Sequence, residues 1–454
     1  MKEKSKSLFK YIMTFIITIS AFMLLLTAAS AIPSGYIYEN VKKSSEILLN
    51  EGNRKIIYIP YRCENMQFDN YTDALMINTA YSIDTTKPLF SAFIARKNYI
   101  PNVTTEVYQD QPGELRSSSK YKYHNEVGEL NDLVNNEKTE SFEYARYWHG
   151  YLILLRPLLV VFNLAQIRII LTCVLIILCI IFTILLYKKT NIVNVIIFST
   201  GLLGVEYFYL GFSLQGIFVF LIMMIASIIL LCKYDKNKNY FTFFFVIGML
   251  TNFFDFLTVP IVTYAIPTII LFILMHKEEN SIKIETTLKM ILIYGIAWGT
   301  GYGLTWASKW ILTDLIFKRN MLFTALQQVA YRSNGTANFN VLDVINENVN
   351  YMRISILIST FFTILIILIK MWIDDKKITF SSNNIKNTWH KIFIYFIIGI
   401  IPIIWYMLLQ NHSYYHAFFT YRNLLISNIC VNLCIEEVFM FLTNEKEEEN
   451  ERKN

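Results

Sequence analysis

Long apolar runs, broken at short intervals by lysine-bearing turns, dominate the chain from residue 166 onward and occur once more at its start. A bilayer-crossing helix needs roughly 20 such residues, and about ten runs qualify on that length. They lie near 8 to 32, 166 to 187, 192 to 210, 214 to 233, 240 to 256, 258 to 276, 289 to 310, 352 to 373, 391 to 409 and 420 to 442. The pattern predicts an all-α polytopic membrane protein with a small segment between its first and second spans. Four regions follow: an N-terminal transmembrane anchor (1 to 32), an outer segment with an interfacial helix (33 to 165), a multi-span domain (166 to 443) and an acidic tail (444 to 454).

The first run follows Lys2, Lys4, Lys6 and Lys10 and ends in TAASA, in the manner of a signal peptide. Its length exceeds an ordinary signal-peptide core, which favours an uncleaved anchor. Within the outer segment, KIIYIPY reads as a short strand, Asp69 to Tyr81 as a helix, and about 110 to 140 as a polar stretch of low order. Lys188, Lys189, Lys233, Lys236, Lys238, Lys277, Lys283, Lys370, Lys376, Lys377 and Lys386 occupy alternate loops, all on the side of the N-terminus. Basic loops stay in the cytoplasm, so both termini are expected there. The segment from 33 to about 150, the segment from 311 to 350 and the turns near 207 to 213, 253 to 258 and 410 to 418 then share the opposite face.

Composition supports this frame. Of 454 residues, 54% are hydrophobic and 17% charged, more apolar surface than a soluble core buries. The formal charge of +6 is spread over short loops, which argues against a nucleic-acid partner. Of six cysteines, Cys173, Cys179, Cys232, Cys430 and Cys434 fall in apolar runs and Cys63 alone in a polar region. No CxxC spacing and no outer disulfide pair result.

Candidate chemistry concentrates on the outer face. In FDNYTDALMINTAYSID, a helix puts Asp69 and Asp73 on one side, four residues apart. Two such carboxylates can accept a proton or hold a divalent cation, while the plainer role for Asp69 is a helix N-cap. In YARYWHGYLILLRPLLVVFNLAQ, Arg146, His149 and Arg156 fall near one helical stripe beside a leucine-rich surface, with Pro157 set to break a straight helix. Such a helix suits the membrane interface, its cations at headgroup level or simply snorkelling. Glu206, Asp255 and Lys309 sit at outer ends of spans, where ionisable groups are functional or mutually paired unless they lie clear of the hydrocarbon. His412 and His416 in NHSYYH share a helical face, six residues before Arg422. Histidines can bind metal, shuttle a proton or donate to a phosphate, but two alone make too few ligands for zinc and HEXXH is absent. No Gly-rich phosphate loop or GxSxG elbow occurs.

The first span, the large outer loop carrying FDNYTD, the stretch YARYWHGYLILLRP before the second span, and the outer-face pieces NFFDFLTVP, GYGLTWASKW and NHSYYHAFFTYR together resemble the GT-C class of integral membrane glycosyltransferases. That resemblance implies a polyprenyl-phosphate-linked sugar donor drawn from the membrane lipid, a cell-envelope glycan or glycoconjugate as acceptor, and an outer-loop Asp, Asp69 or Asp73, as base. It further implies that Arg146, Arg156, Lys309 or Arg422 neutralises the departing phosphate, that His412 or His416 steadies it, and that Trp148 and Trp306 stack on sugar rings. His149 and Asp255 join the same substrate-binding set, and a divalent cation, Mg or Mn, is optional. The competing expectations are a transporter or flippase for a lipid-linked glycan, which calls for internal pseudo-symmetry and broken helices at the midplane, a non-catalytic envelope assembly protein, and an outer-leaflet acyltransferase.

Overall fold

The computed structural model describes residues 2–59, 64–99, 126–135, 140–278, 283–333, 339–375 and 385–443. Cys63, most of the polar stretch near 110 to 140, Lys376, Lys377 and the acidic tail lie outside the described residues. The chain folds almost wholly as helices. α1 (Lys2–Ser30) leads through Pro33 into α2 (Ser34–Glu51). Next come β1 (Ile56–Ile57) and β2 (Met66–Gln67), α3 (Asn70–Tyr81), α4 (Pro88–Ile94), β3 (Arg96–Tyr99), α5 (Glu126–Asn135) and β4 (Glu140–Glu143). The strands form two antiparallel ribbons, β1 with β2 and β3 with β4, with Ile56 opposite Gln67 and Arg96 opposite Glu143. The outer segment is thus helical with two small ribbons. Its α5 occupies part of the stretch expected to lack order, and β1 covers only two residues of KIIYIPY.

The rest is a bundle: α6 (Leu152–Val161), α7 (Leu164–Lys189), α8 (Ile192–Gly204), α9 (Ile217–Lys233), α10 (Phe241–Phe254), α11 (Val262–Glu278) and α12 (Ile284–Phe317), then α13 (Met321–Ser333), α14 (Val341–Ile373), α15 (Ile385–Gly399), α16 (Ile401–Leu408), α17 (Gln410–Tyr415), α18 (Ala417–Thr420) and α19 (Leu425–Thr443). Among the described residues, five helical stretches are long and apolar enough to cross a membrane: Leu8–Ser30, Leu164–Lys189, Val341–Ile373, Asn387–Leu408 and Ala417–Leu442. Four shorter apolar helices, α6, α8, α9 and α10, accompany them. The apolar runs expected to span are largely helical, but the run at 192 to 210 leaves its α-helix at Gly204, the run at 258 to 276 enters one only at Val262, and the run at 391 to 409 is divided between α15 and α16; the long α12 and α14 extend past the apolar stretch at their polar ends.

Local chemistry explains the boundaries. Asn163 caps α7 and Asn340 caps α14, each in a reciprocal capping box, with Gln166 and Asp343 respectively, so the orphan first-turn N–H groups find acceptors. α10 and α12 touch backbone to backbone at Gly248 and Gly301. A Cβ on Gly248 would meet the Trp298 carbonyl oxygen at 2.1 Å, and one on Gly301 the Phe245 oxygen at 2.1 Å. Small residues at helix crossings permit this approach in apolar surroundings. A polar seam joins α8, α14 and α19, where Thr200 and Ser359 share a 2.8 Å hydrogen bond and the Asn432 side-chain amide donates to Ser359 Oγ at 3.2 Å. One apolar core runs from Phe22 and Leu26 on α1 through Ile77 on α3 to Leu433 on α19, so the outer segment and the bundle are packed together.

Candidate functional site

Asp69 lies two residues past β2 and caps the start of α3. Its carboxylate accepts from the Thr72 backbone N–H at 3.2 Å and from Thr72 Oγ1 at 2.7 Å, an N-cap that orients the side chain. Around it a small cleft, with about 30 Å³ of free space, is lined by Phe68, Tyr209, Gln215, Thr258, Phe418 and Arg422 among others. The cleft therefore joins the outer segment, the turn after α8, the turn after α10 and the end of NHSYYHAFFTYR. Arg422 donates through Nε to the Val205 carbonyl at 3.1 Å and lies 4.8 Å from the Tyr421 ring centroid. Arg54, on the β1 side, sits 5.9 Å from the Phe418 ring centroid and acts electrostatically on both Asp69 and His416. Withdrawal from water pushes the Asp69 carboxyl above its ordinary range, offset in part by the Thr72 bonds and by Arg54. A carboxylate made more basic, faced by guanidinium groups, can accept a proton while a neighbouring anion is neutralised.

Asp73, one turn on, points elsewhere. It accepts from the Leu214 N–H at 2.9 Å and lies 3.6 Å from Arg168, which also binds Glu51 at 2.8 Å and Asn70 at 2.9 Å. Burial pushes the Asp73 carboxyl up to about 7 despite Arg168. This network fastens α2, α3 and α7 to the turn before α9.

A second cluster adjoins the cleft. His412 donates through Nε2 to the Leu257 carbonyl at 2.7 Å, so its Nδ1 is the bare acceptor for Arg332 at 3.1 Å. Arg332 also donates to Tyr147 Oη at 3.1 Å. Burial first, then His416 and Arg332, hold His412 far below the usual histidine range; burial and the two arginines push His416 down to about 3. Both rings are neutral at physiological pH. The His416 ring stacks on Phe419 at 5.2 Å, and the two imidazoles are 4.9 Å apart. Leu257 adopts a left-handed φ of 66°, a backbone state that costs a non-glycine residue roughly 1–3 kcal/mol. Asp255 braces the same turn, accepting from Thr258 N and from Thr258 Oγ1 at 2.6 Å, and so shapes the cleft wall that Thr258 supplies. Arg146 contributes its carbonyl, which accepts from Trp306 Nε1 at 3.1 Å and Trp310 Nε1 at 3.0 Å.

The helical stripe expected for Arg146, His149 and Arg156 is corrected by the structure. Residues 144–151 form an irregular turn, and His149 has φ 55°. Gly150 is needed there: its N–H donates to the Phe253 carbonyl at 3.0 Å, and a Cβ would lie 2.4 Å from that oxygen. His149 donates from Nε2 to the Tyr144 carbonyl at 2.6 Å, and burial pushes it down to about 3. Pro157 sits inside α6 without ending it. Arg156 is fully buried inside the protein instead of exposed to lipid or solvent; it donates to the carbonyls of Ala29, Ile32 and Ala80. It caps α1 and ties that helix to α3. Lys309 does the same for α4, donating to the Phe93 carbonyl between the Phe93 and Trp148 rings. Trp148 donates to the Thr305 carbonyl at 2.7 Å, leaving it a packing residue. Glu206, in a left-handed turn, accepts from Tyr421 Oη.

Of the residues singled out from sequence, the cleft thus brings together Asp69 and Arg422, with His416 and His412 behind the Phe418–Phe419 wall. Arg54 and Arg332 emerge only in three dimensions. Arg332 carried a faint signal, as the lone charge in MLFTALQQVAYRS. Among the described residues, no three His, Cys, Asp or Glu side chains converge as metal ligands. Compared with models of known protein families, with curated proteins and with solved structures, the chain matches none.

Proposed function

We propose that the protein is a membrane glycosyltransferase of the GT-C kind, with about ten crossings, both termini in the cytoplasm and the cleft at the outer face. The observation that supports this reading best is the shared cleft of Asp69 and Arg422, walled by Phe418 at the end of apolar helices. In the proposed reaction, an acceptor hydroxyl loses its proton to Asp69 as its oxygen bonds to the anomeric carbon. The bond from that carbon to the donor phosphate breaks, and Arg422 and Arg54 neutralise the phosphate as it leaves. The base is assigned to Asp69 because Asp73 is held by Leu214 and Arg168. Guanidinium groups carry the neutralising role, with a divalent cation as an optional addition.

The test is turnover in lipid nanodiscs. Purified protein is supplied with a panel of polyprenyl-phosphate sugars and a hydroxyl acceptor, and release of free polyprenyl phosphate is read. Wild type should release it and Arg422→Gln should lose at least tenfold of the rate. No release by wild type from any donor rejects the reading in favour of a lipid-glycan transporter or an assembly role.

A further inference from the structure

α13 is a 13-residue helix with one fully buried side chain, Ala325. At about 100° per residue, Val329, Leu322, Leu326, Ala330 and Phe323 fall on one arc, interrupted only by the terminal Ser333. Gln327, Tyr331 and Thr324 occupy the next, and Met321, Gln328, Ala325 and Arg332 the third. The apolar arc is turned outward: Phe323 is 63% exposed and Leu326 55%. The polar arc is exposed as well, and the third arc faces the protein. Such a helix has three distinct environments, one of them apolar and outside the chain.

The helix is fixed in place at both ends. Asp314 at the end of α12 accepts from the Met321 and Leu322 N–H groups at 2.6 and 3.0 Å. Arg319 makes a bidentate pair with Glu143 of β4 at 2.8 and 2.9 Å. At the far end the Asn411 side chain donates to the Tyr331 carbonyl at 2.9 Å, and Arg332 reaches His412 and Tyr147. An exposed apolar face on a firmly held helix marks a surface with a partner.

We propose that this partner is the lipid bilayer: α13 lies in the membrane interface, its apolar arc in the acyl boundary, and thereby sets the position of Arg332 against His412. Continuity argues for lipid. The exposed Ile311, Leu315 and Ile316 at the end of α12 lead into the arc, and exposed Leu342 follows it at the start of α14, a helix long and apolar enough to cross. Exposed Lys318 precedes it, where anionic headgroups attract a cation. The inference rests on membrane placement and is independent of the sugar-transfer reading.

The experiment uses the full chain in phosphatidylcholine–phosphatidylglycerol nanodiscs, its six cysteines replaced, with a nitroxide on Leu326→Cys, Ala330→Cys or Thr324→Cys in turn. Collision with oxygen and with a water-soluble nickel chelate is read by power saturation. Labels at 326 and 330 should favour oxygen by several fold and the label at 324 should favour nickel. Agreement of 326 with 330 guards against a local distortion from either change. Nickel-favouring labels at both 326 and 330 overturn the proposal by placing the arc in water. Labels closed to both reagents overturn it too, by placing a protein surface, such as a second copy, on the arc.

Discussion

Replacing Asp69 separates a structural cap from a chemical base, because the two roles predict different patterns of severity. Asparagine caps helices as well as aspartate does, whereas alanine in that place costs about 1 kcal/mol. The cap here is the pair of bonds from Thr72 N and Thr72 Oγ1, and the asparagine side-chain oxygen retains one of them. On the cap alone, Asp69→Asn behaves as wild type and Asp69→Ala lowers the thermal midpoint slightly. A general base contributes roughly 10²–10⁴ in rate, about 3–5 kcal/mol of barrier, and neither asparagine nor alanine can replace it. Both variants should therefore lose transfer to a similar degree, with only the alanine variant losing stability. Thr72→Val adds a direction: the Thr72 bonds lower the Asp69 carboxyl, so removing the hydroxyl moves the acid limb of the pH–rate profile to higher pH. The assay is sugar transfer in nanodiscs beside a tryptophan-fluorescence melt. Full transfer by Asp69→Asn would refute the base assignment and leave Asp69 a cap.

Gly248→Ala puts a Cβ at 2.1 Å from the Trp298 oxygen and should destabilise by about 1–3 kcal/mol, while Gly299→Ala, with nothing within 4 Å of its Cβ, should be neutral or gain up to about 1 kcal/mol; the paired thermal midpoints check this. Arg168→Leu strands the buried Asp73 carboxylate and should cost about 3–5 kcal/mol, with Asp73→Asn in the same chain recovering part of the midpoint. Lys97 binds both Glu126 and Glu129 at 2.5 Å, a buried triad with one surplus negative charge, and burial pushes Glu126 up to about 7 against the pull of Lys97. A carboxyl raised in the folded state contributes stability that is complete below about pH 4.5 and falls as pH rises towards about 7, so Glu126→Gln should flatten the midpoint-against-pH curve across that window.

The bundle was legible because its long apolar helices are contiguous apolar runs, and contiguity survives in one dimension. α13 escaped notice because its apolar positions are interleaved with Thr324, Gln327 and Gln328, and a window averages the two faces away. Asp69 could be read as a cap, since a cap depends on residues three apart. Asp73 could not be separated from it, since its partners Arg168 and Leu214 come from distant parts of the chain. The stripe drawn through Arg146, His149 and Arg156 assumed helical backbone at 149, which the close approach of Gly150 to Phe253 forbids. The buried cations teach the sharper lesson. Arg156 and Lys309 were given a phosphate role by the resemblance and by their place towards the outer face, yet both are satisfied by carbonyls at helix ends. A helix C-terminus offers unpaired carbonyls and partial negative charge, and every residue type supplies the same carbonyl. Which cation meets a helix end and which stays open to a ligand is therefore decided by packing, and the proposed phosphate role falls to Arg422 because its packing puts it on the cleft.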